Sequence, residues 1–305
     1  MEQSRKSIRA EINKLLDSAN ADLGDQQFIY KGVMYPAVMC YPETLQKLED
    51  FEAREDDVVM MSYPKCGMNW MIHILNEIVF MSANMPPSPD FPVIEFGNLE
   101  KLERIIQQPS PRVLTTHLHH NNIPKSFFKK KVKKIVVFRN PKDTAVSFFH
   151  FHNNNPRLPS FKSWDEFFQL FMIGKVHYGS YFDYMLAWNN HVTDHMDEDI
   201  LILTYEDLKK NLAAGVKQIA EFFGFSLTRE QIQEIADKST FQNMKANSQE
   251  THGRFGQILF RKGDVGDWKN YFSPAQSQEI EAKYEAYLGE SKLEAKLKYN
   301  VHCEA

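Results

Sequence analysis

The chain has 305 residues, 43% of them hydrophobic and 25% charged, which suits one large α/β domain and excludes global disorder. Its formal net charge of -4 argues against a protein built to grip nucleic acid, but leaves room for a small anionic ligand held by a local cluster of donors. The cysteines, Cys40, Cys66 and Cys303, are odd in number and match no zinc spacing, so a reducing compartment is the simple reading.

The N-terminal residues carry Arg5, Lys6, Arg9, Glu11 and Lys14 and form no apolar core of a secretory signal. Apolar runs such as Val79 to Met81 and Ile135 to Phe138 are far too short to cross a bilayer. A cytoplasmic protein without a membrane partner is therefore expected. The first predicted helix is Ser7 to Asn20, with Ile8, Ile12, Leu15 and Leu16 on one face. Residues Phe28 to Pro42, rich in tyrosine and proline, read as an extended leading segment.

Four apolar runs predict buried parallel strands: Asp57 to Ser62, Arg112 to Thr116, Lys134 to Phe138 and Asp199 to Thr204. Each is continuous rather than alternating, as befits strands covered on both faces. Helices are predicted over Trp70 to Met81, Asp143 to His152, Trp164 to Ile173 and Tyr181 to His191. The alternation implies an open parallel sheet wrapped by helices, with ligands at the carboxyl ends of the strands.

The segments after those strand ends carry the chemistry. Ser62-Tyr-Pro-Lys-Cys-Gly-Met-Asn-Trp70 joins a strand to a helix start through Gly67, a geometry that offers free N–H groups to an anion, with Lys65 adding a charge. It lacks the Gly-Lys-Ser/Thr ending of a nucleoside-triphosphate loop. Alone, it reads equally well as an ordinary turn with a solvated lysine. Thr116-His-Leu-His-His120 places three histidines together, yet no Cys, Asp or Glu nearby in sequence completes a metal set, so pocket or surface positions are the simpler reading. The run Lys129 to Lys134 reads as a solvated loop before a strand.

Phe138-Arg-Asn-Pro-Lys-Asp-Thr-Ala-Val-Ser147 puts Arg139 at a strand tip, Pro141 in a helix's first turn and Ser147 further along that helix. A second strand-tip cation suggests a ligand with two separated anionic groups; a surface Arg–carboxylate pair is the bland alternative. Phe148, Phe149, Phe151, Phe167, Phe168 and Phe171 are expected mostly in the core, with some lining an apolar pocket. Arg261-Lys262-Gly263 is a third basic element, suited to closing over a phosphate, though two adjacent cations are usually just solvated surface.

Taken together, Tyr63-Pro-Lys-x-Gly-x-x-Trp70, Arg139-Asn-Pro-Lys-Asp-x-x-Val-Ser147 and Arg261-Lys-Gly-x-x-Gly-Asp-Trp268 resemble the cytosolic sulfotransferases, in that family's order and from about Phe51 to Phe272. The resemblance implies a single domain over residues 1–305. Residues 1–50 would supply a leading segment and acceptor-pocket elements, 51–272 the donor-binding and catalytic core, and 273–305 a C-terminal helical segment. The donor would be 3'-phosphoadenylyl sulfate (PAPS), without a metal, and the acceptor the hydroxyl or amine of a small, largely apolar molecule. Lys65, Cys66, Gly67, Met68, Asn69 and Trp70 would hold the 5'-phosphosulfate, with Trp70 on the adenine. Arg139, Ser147, Arg261, Lys262 and Gly263 would hold the 3'-phosphate, and Tyr205, Ser239, Phe241 and Met244 the adenine side. Lys65, Ser147 and His117 would be catalytic, His117 as a general base near its unperturbed pKa of about 6.5.

Three departures from the family pattern stand out. Met68-Asn69 replaces the usual threonine pair, and Thr115 replaces a lysine two residues before the histidine. In the stretch Lys269 to Gln278, where the family's dimer motif falls, Ser273-Pro274 and Gln278 depart from the pattern, which leaves a homodimer open. The alternative reading is a protein that binds PAPS or its product PAP with weak or no transfer.

Overall fold

A computed structural model describes residues 26–194, 199–289 and 291–303. The helix predicted over Ser7 to Asn20 lies outside the described residues.

The segment expected to be extended folds back on itself. β1 (Gln27–Tyr30) and β2 (Val33–Pro36) form an antiparallel hairpin. Its two-residue turn is Lys31-Gly32, with φ of 48° and 77°, the left-handed pair that such a tight turn requires. Pro42 then opens the helix Pro42–Leu48 from a first-turn position, where its missing N–H costs nothing.

The four apolar runs become β3 (Val58–Ser62), β4 (Val113–Thr116), β5 (Lys134–Phe138) and β6 (Ile200–Thr204), paired in parallel in the order β4-β3-β5-β6. Alternation along the strands explains the continuous apolarity. Val59, Met61, Leu114, Val136 and Phe138 enter one core; Val58, Met60, Val113, Ile135 and Val137 enter a second on the opposite face. β3, β4 and β6 each begin one residue later than expected, and at the entrances of β3 and β4 Asp57 and Arg112 form a buried ion pair. The Arg112 Nε donates to Asp57 Oδ1 at 2.7 Å and Nη2 to Oδ2 at 2.6 Å. The lysine run is only partly solvated: Lys129, Lys130 and Lys131 are exposed, but Lys134 is buried in β5 with its Nζ donating to the Val132 carbonyl at 2.7 Å.

Three of the four predicted helices run longer than expected, and the one over Trp164 to Ile173 ends a residue early at Met172. Met68–Ala83 starts early because Gly67, at φ 102°, turns the chain directly into it. Pro141–Asn154 is capped by Asn140, whose Oδ1 accepts the Asp143 N–H. Trp164–Met172 is capped by Ser163, and Tyr181–Asp194 packs through Tyr181 and Tyr184 against Tyr63 and Phe138 at the carboxyl ends of β3 and β5. Ser273-Pro274, a departure from the family's dimer motif, is here a helix start: Ser273 caps Pro274–Leu288 in a box with Gln276. Among the described residues no helix is long and apolar enough to cross a membrane.

Chain connections leave β3 in one direction and return to β5 on its other side. The crevice of such a sheet lies where the order reverses, outside the carboxyl ends of β3 and β5. Ser62 and Phe138 are those ends.

Candidate active site

A cavity of about 230 Å³ opens at that crevice. Its floor is the loop after β3. Lys65 and Gly67 both sit at positive φ, 71° and 102°, which curls the loop toward the helix start. A Cβ at Gly67 would lie 3.1 Å from the Tyr205 ring, so a side chain there would crowd that ring as well as strain the backbone at this φ. Gly67, Met68, Asn69 and Trp70 line the cavity at the N-terminus of a 16-residue helix, where the first N–H groups have no partner within the helix.

Arg139 knits this floor to the third basic segment. Its Nη1 donates to the Lys65 carbonyl at 3.2 Å and its Nη2 to the Asp264 carbonyl at 3.1 Å, while the guanidinium lies 4.3 Å from the Tyr205 ring centre. Among the described residues it makes no carboxylate pair. Its Nε is buried without a hydrogen-bonding partner. Asp143, expected only to favour a helix start, organises the loop opposite: its Oδ2 accepts the Gly266 N–H at 2.7 Å and its Oδ1 the Trp268 N–H at 3.0 Å. Arg261 and Lys262 both donate to Asp267. Burial alone would raise the Asp267 carboxyl, but these two cations hold it down at about 2.

An aromatic slot adjoins the cations. Trp70 donates its Nε1–H to the Ser239 carbonyl at 2.7 Å and stands 5.2 Å from the Tyr205 ring. Gly263, at φ 68°, lets Phe241 approach so closely that a Cβ there would lie 2.0 Å from its ring. Met244 and Ser147 complete this part of the lining. Cys66 and Ser239 are not among the lining residues: Cys66 is buried with its Sγ 3.9 Å from Thr144 Oγ1, and Ser239 contributes a carbonyl to Trp70. Lys209, which sequence reasoning missed, lines the cavity and donates to the Gly263 carbonyl at 2.6 Å.

His117 leaves β4 and reaches the same cavity. Its Nδ1 lies 2.8 Å from the Ser62 carbonyl, which only accepts, so the ring proton sits on Nδ1 and Nε2 keeps its lone pair. Its backbone N–H donates to Glu95 Oε1 at 2.8 Å. The expectation of an unperturbed pKa is corrected: burial, aided by the Lys65 charge, pushes the ring down to about 4. Lys65 is itself pushed down to about 7, first by burial and then by Arg139 and Arg261, and its ammonium lies 3.9 Å from the Phe151 ring centre. The neighbouring histidines diverge, with His119 Nε2 at 3.3 Å from the Ser180 carbonyl and His120 beside Asn121. Among the described residues no group of three His, Cys, Asp or Glu is placed to hold a metal ion.

Residues 55–294 match the family described as "Sulfotransferase domain". The chain belongs to the sulfotransferase family. It is similar to the sulfotransferase 6B1 proteins of Pan troglodytes, 55% identical over 91% of both chains, and of Mus musculus, 52% identical over 96% of this chain and 97% of that one. Among solved structures it resembles mouse sulfotransferase SULT7A1 complexed with PAP, at 33% identity and a TM-score of 0.80, covering 92% of this chain and all of that one.

The rest of this sulfotransferase's cavity is mostly apolar, with Asn155, Arg157 and His177 also in its lining. Pro36 and Met39 come from the hairpin and the segment after it, Phe96 from the loop before β4, Phe148 and Phe151 from the Arg139 helix, and Leu158 and Tyr178 from later loops. Phe148 and Phe151 fulfil the expectation that some phenylalanines line a pocket, whereas Phe167, Phe168 and Phe171 are core. No motif announces the others, which come from separate turns of the chain. Thr115, where the family usually has lysine, is buried in β4 and is not among the lining residues.

Proposed function

We propose that this sulfotransferase draws a sulfuryl group from PAPS at the cationic end of the cavity. It delivers the group to the hydroxyl or amine of a small, largely apolar acceptor at the other end, with His117 taking the acceptor's proton. The observation that carries this reading is a single cavity on which a histidine with a free Nε2, a buried lysine and an apolar chamber all converge.

The residues suit an adenosine bisphosphate sulfate. Arg139 Nε–H is a buried donor without a protein partner, and an anion would satisfy it. Arg261, Lys262 and Lys209 lie close by with Ser147, a set suited to the 3'-phosphate. Trp70, Tyr205, Phe241 and Met244 offer faces for the adenine, and residues 65–70 offer backbone donors to the 5' side. The PAP complex of mouse SULT7A1 supports the same assignment.

The chemistry then needs positioning and charge balance. The acceptor oxygen or nitrogen forms its bond to sulfur as the bond from sulfur to the departing phosphate oxygen breaks. Nε2 of His117 receives the acceptor's proton, and Lys65 stabilises the negative charge left on the phosphate. Burial makes His117 a weak base in isolation, but it also keeps the ring unprotonated and ready throughout the neutral range. Lys65, poised near 7, gains its full charge when an anion lies beside it.

Turnover of labelled PAPS against phenols, sterols and amines tests the proposal. Transfer to at least one acceptor class is expected. Tight PAP binding with no transfer to any would instead make the chain a nucleotide-binding protein.

A further inference from the structure

Three polar side chains of the cavity lining, Asn155, Arg157 and His177, are employed by nothing above, and of these His177 has a buried ring nitrogen without a partner among the described residues. His177 lines the cavity beside Tyr178, Phe148 and Leu158. It is only 2% exposed, and its Nε2 has no hydrogen-bonding partner. Its ring stacks on that of His152, with centroids 4.9 Å apart and planes inclined by 26°. The stacked partner is locked: His152 Nδ1 lies 3.0 Å from the Pro159 carbonyl, so that nitrogen carries the proton. Burial leaves both rings neutral at physiological pH, His177 at about 3 and His152 at about 4.

A buried nitrogen without a partner costs stability. Phenylalanine would fill the same wall without that cost, and phenylalanines already supply much of it. The presentation of His177 is also rigid. Tyr178 sits at φ 65° and Gly179 at φ 71°. The Tyr178 N–H donates to the Met34 carbonyl at 2.8 Å, and the Tyr63 hydroxyl to the Gly179 carbonyl at 2.7 Å. The strand-tip loop and the hairpin thus both fix the residues that carry His177.

We propose that His177 sets acceptor specificity, its Nε2 pairing with a second, neutral hydroxyl on the acceptor, away from the group that receives the sulfuryl. The inference rests on the reading of this chamber as the acceptor site. A hydroxyl is the matching partner because it both donates and accepts, so it serves either tautomer of a neutral imidazole. A carboxylate finds no full charge on His177 itself to repay its desolvation, and would have to reach Arg157 in the same lining instead. The favoured acceptors are therefore rigid molecules with a hydroxyl at each end.

The test compares 4-hydroxybiphenyl and 4-hydroxystilbene with their 4,4'-dihydroxy counterparts and with 4'-hydroxybiphenyl-4-carboxylate. The proteins are wild type, His177→Phe and His177→Asn, with PAPS saturating. In wild type, kcat/KM for at least one bisphenol is expected to exceed that of its monophenol by about tenfold or more. In His177→Phe the ratio should fall to roughly the twofold advantage of having two equivalent hydroxyls. His177→Asn, which retains a hydrogen-bonding group, should restore part of the ratio. The same ratio in wild type and His177→Phe overturns the proposal, as does a His177-dependent gain for the carboxylate alone. If wild type sulfates none of these phenols, the transfer reading fails separately, and equilibrium dialysis against the PAP complex decides His177. Bisphenol held about tenfold more tightly by wild type than by His177→Phe supports the assignment, and equal binding overturns it.

Discussion

The Nδ1 of His117 lies 2.8 Å from the carbonyl oxygen of Ser62, the last residue of β3. The bond ties the proposed base on one strand tip to the donor loop that begins on the next. It selects the tautomer that leaves Nε2 bare, and it sets the base and Lys65 on the same cavity wall. Much of the proposed chemistry follows from this juxtaposition of two parallel strand ends.

The first prediction concerns the second phosphate. PAP should bind more tightly than AMP, because Arg139, Arg261, Lys262 and Ser147 add cationic and hydroxyl donors to those of residues 65–70 on the same cavity. Arg139→Ala should weaken PAP by about tenfold or more and AMP much less. Gly263→Ala should act similarly, since its Cβ would collide with the Phe241 ring. Calorimetry that finds equal affinity for the two nucleotides would remove the basis for the 3'-phosphate assignment.

Proton linkage supplies the second. Without a ligand, burial holds Lys65 at about 7, so at pH 7.5 much of it is neutral; a bound anion favours the charged form. PAP binding should therefore take up a proton just above neutrality. It should also weaken as pH rises through about 7, the range in which the free enzyme loses that proton. Calorimetry in buffers of different ionisation heat measures the uptake, and Lys65→Arg should abolish it. Binding without proton exchange in wild type would show that Lys65 is already charged.

Stability should depend on the far end of the sheet. Asp57 and Arg112 are buried at the strand entrances, away from the cavity. Removing either partner strands the other charge, so Asp57→Ala should cost about 3–5 kcal/mol in denaturant unfolding. The fraction that remains folded should bind PAP normally. A loss under 1 kcal/mol would mean that the exposed partner is rescued by water or by rearrangement.

The parallel sheet is legible in the sequence because β3, β4 and β5 are covered on both faces, which makes each a continuous apolar run. Lys134 escapes that rule, since its ammonium folds back to the Val132 carbonyl. The cationic end is legible for a related reason: its residues follow strand tips or cluster around glycines. The proposed acceptor end is not, because Pro36, Met39, Phe96, His177 and Tyr178 come from separate turns with no shared spacing. Asp143 reads as a helix-start residue, and only the folded chain brings it to Gly266 and Trp268. The depressed pKa of His117 is likewise a property of burial, which no local pattern encodes.

The central claim is that the protein transfers a sulfuryl group with His117 as the base. Single-turnover transfer from saturating labelled PAPS to an accepted phenol measures it most directly. His117→Ala should slow the chemical step by about 10²-fold or more while PAP affinity stays within about threefold, because the phosphate contacts lie on other segments. Transfer by His117→Ala at the wild-type rate would contradict the account.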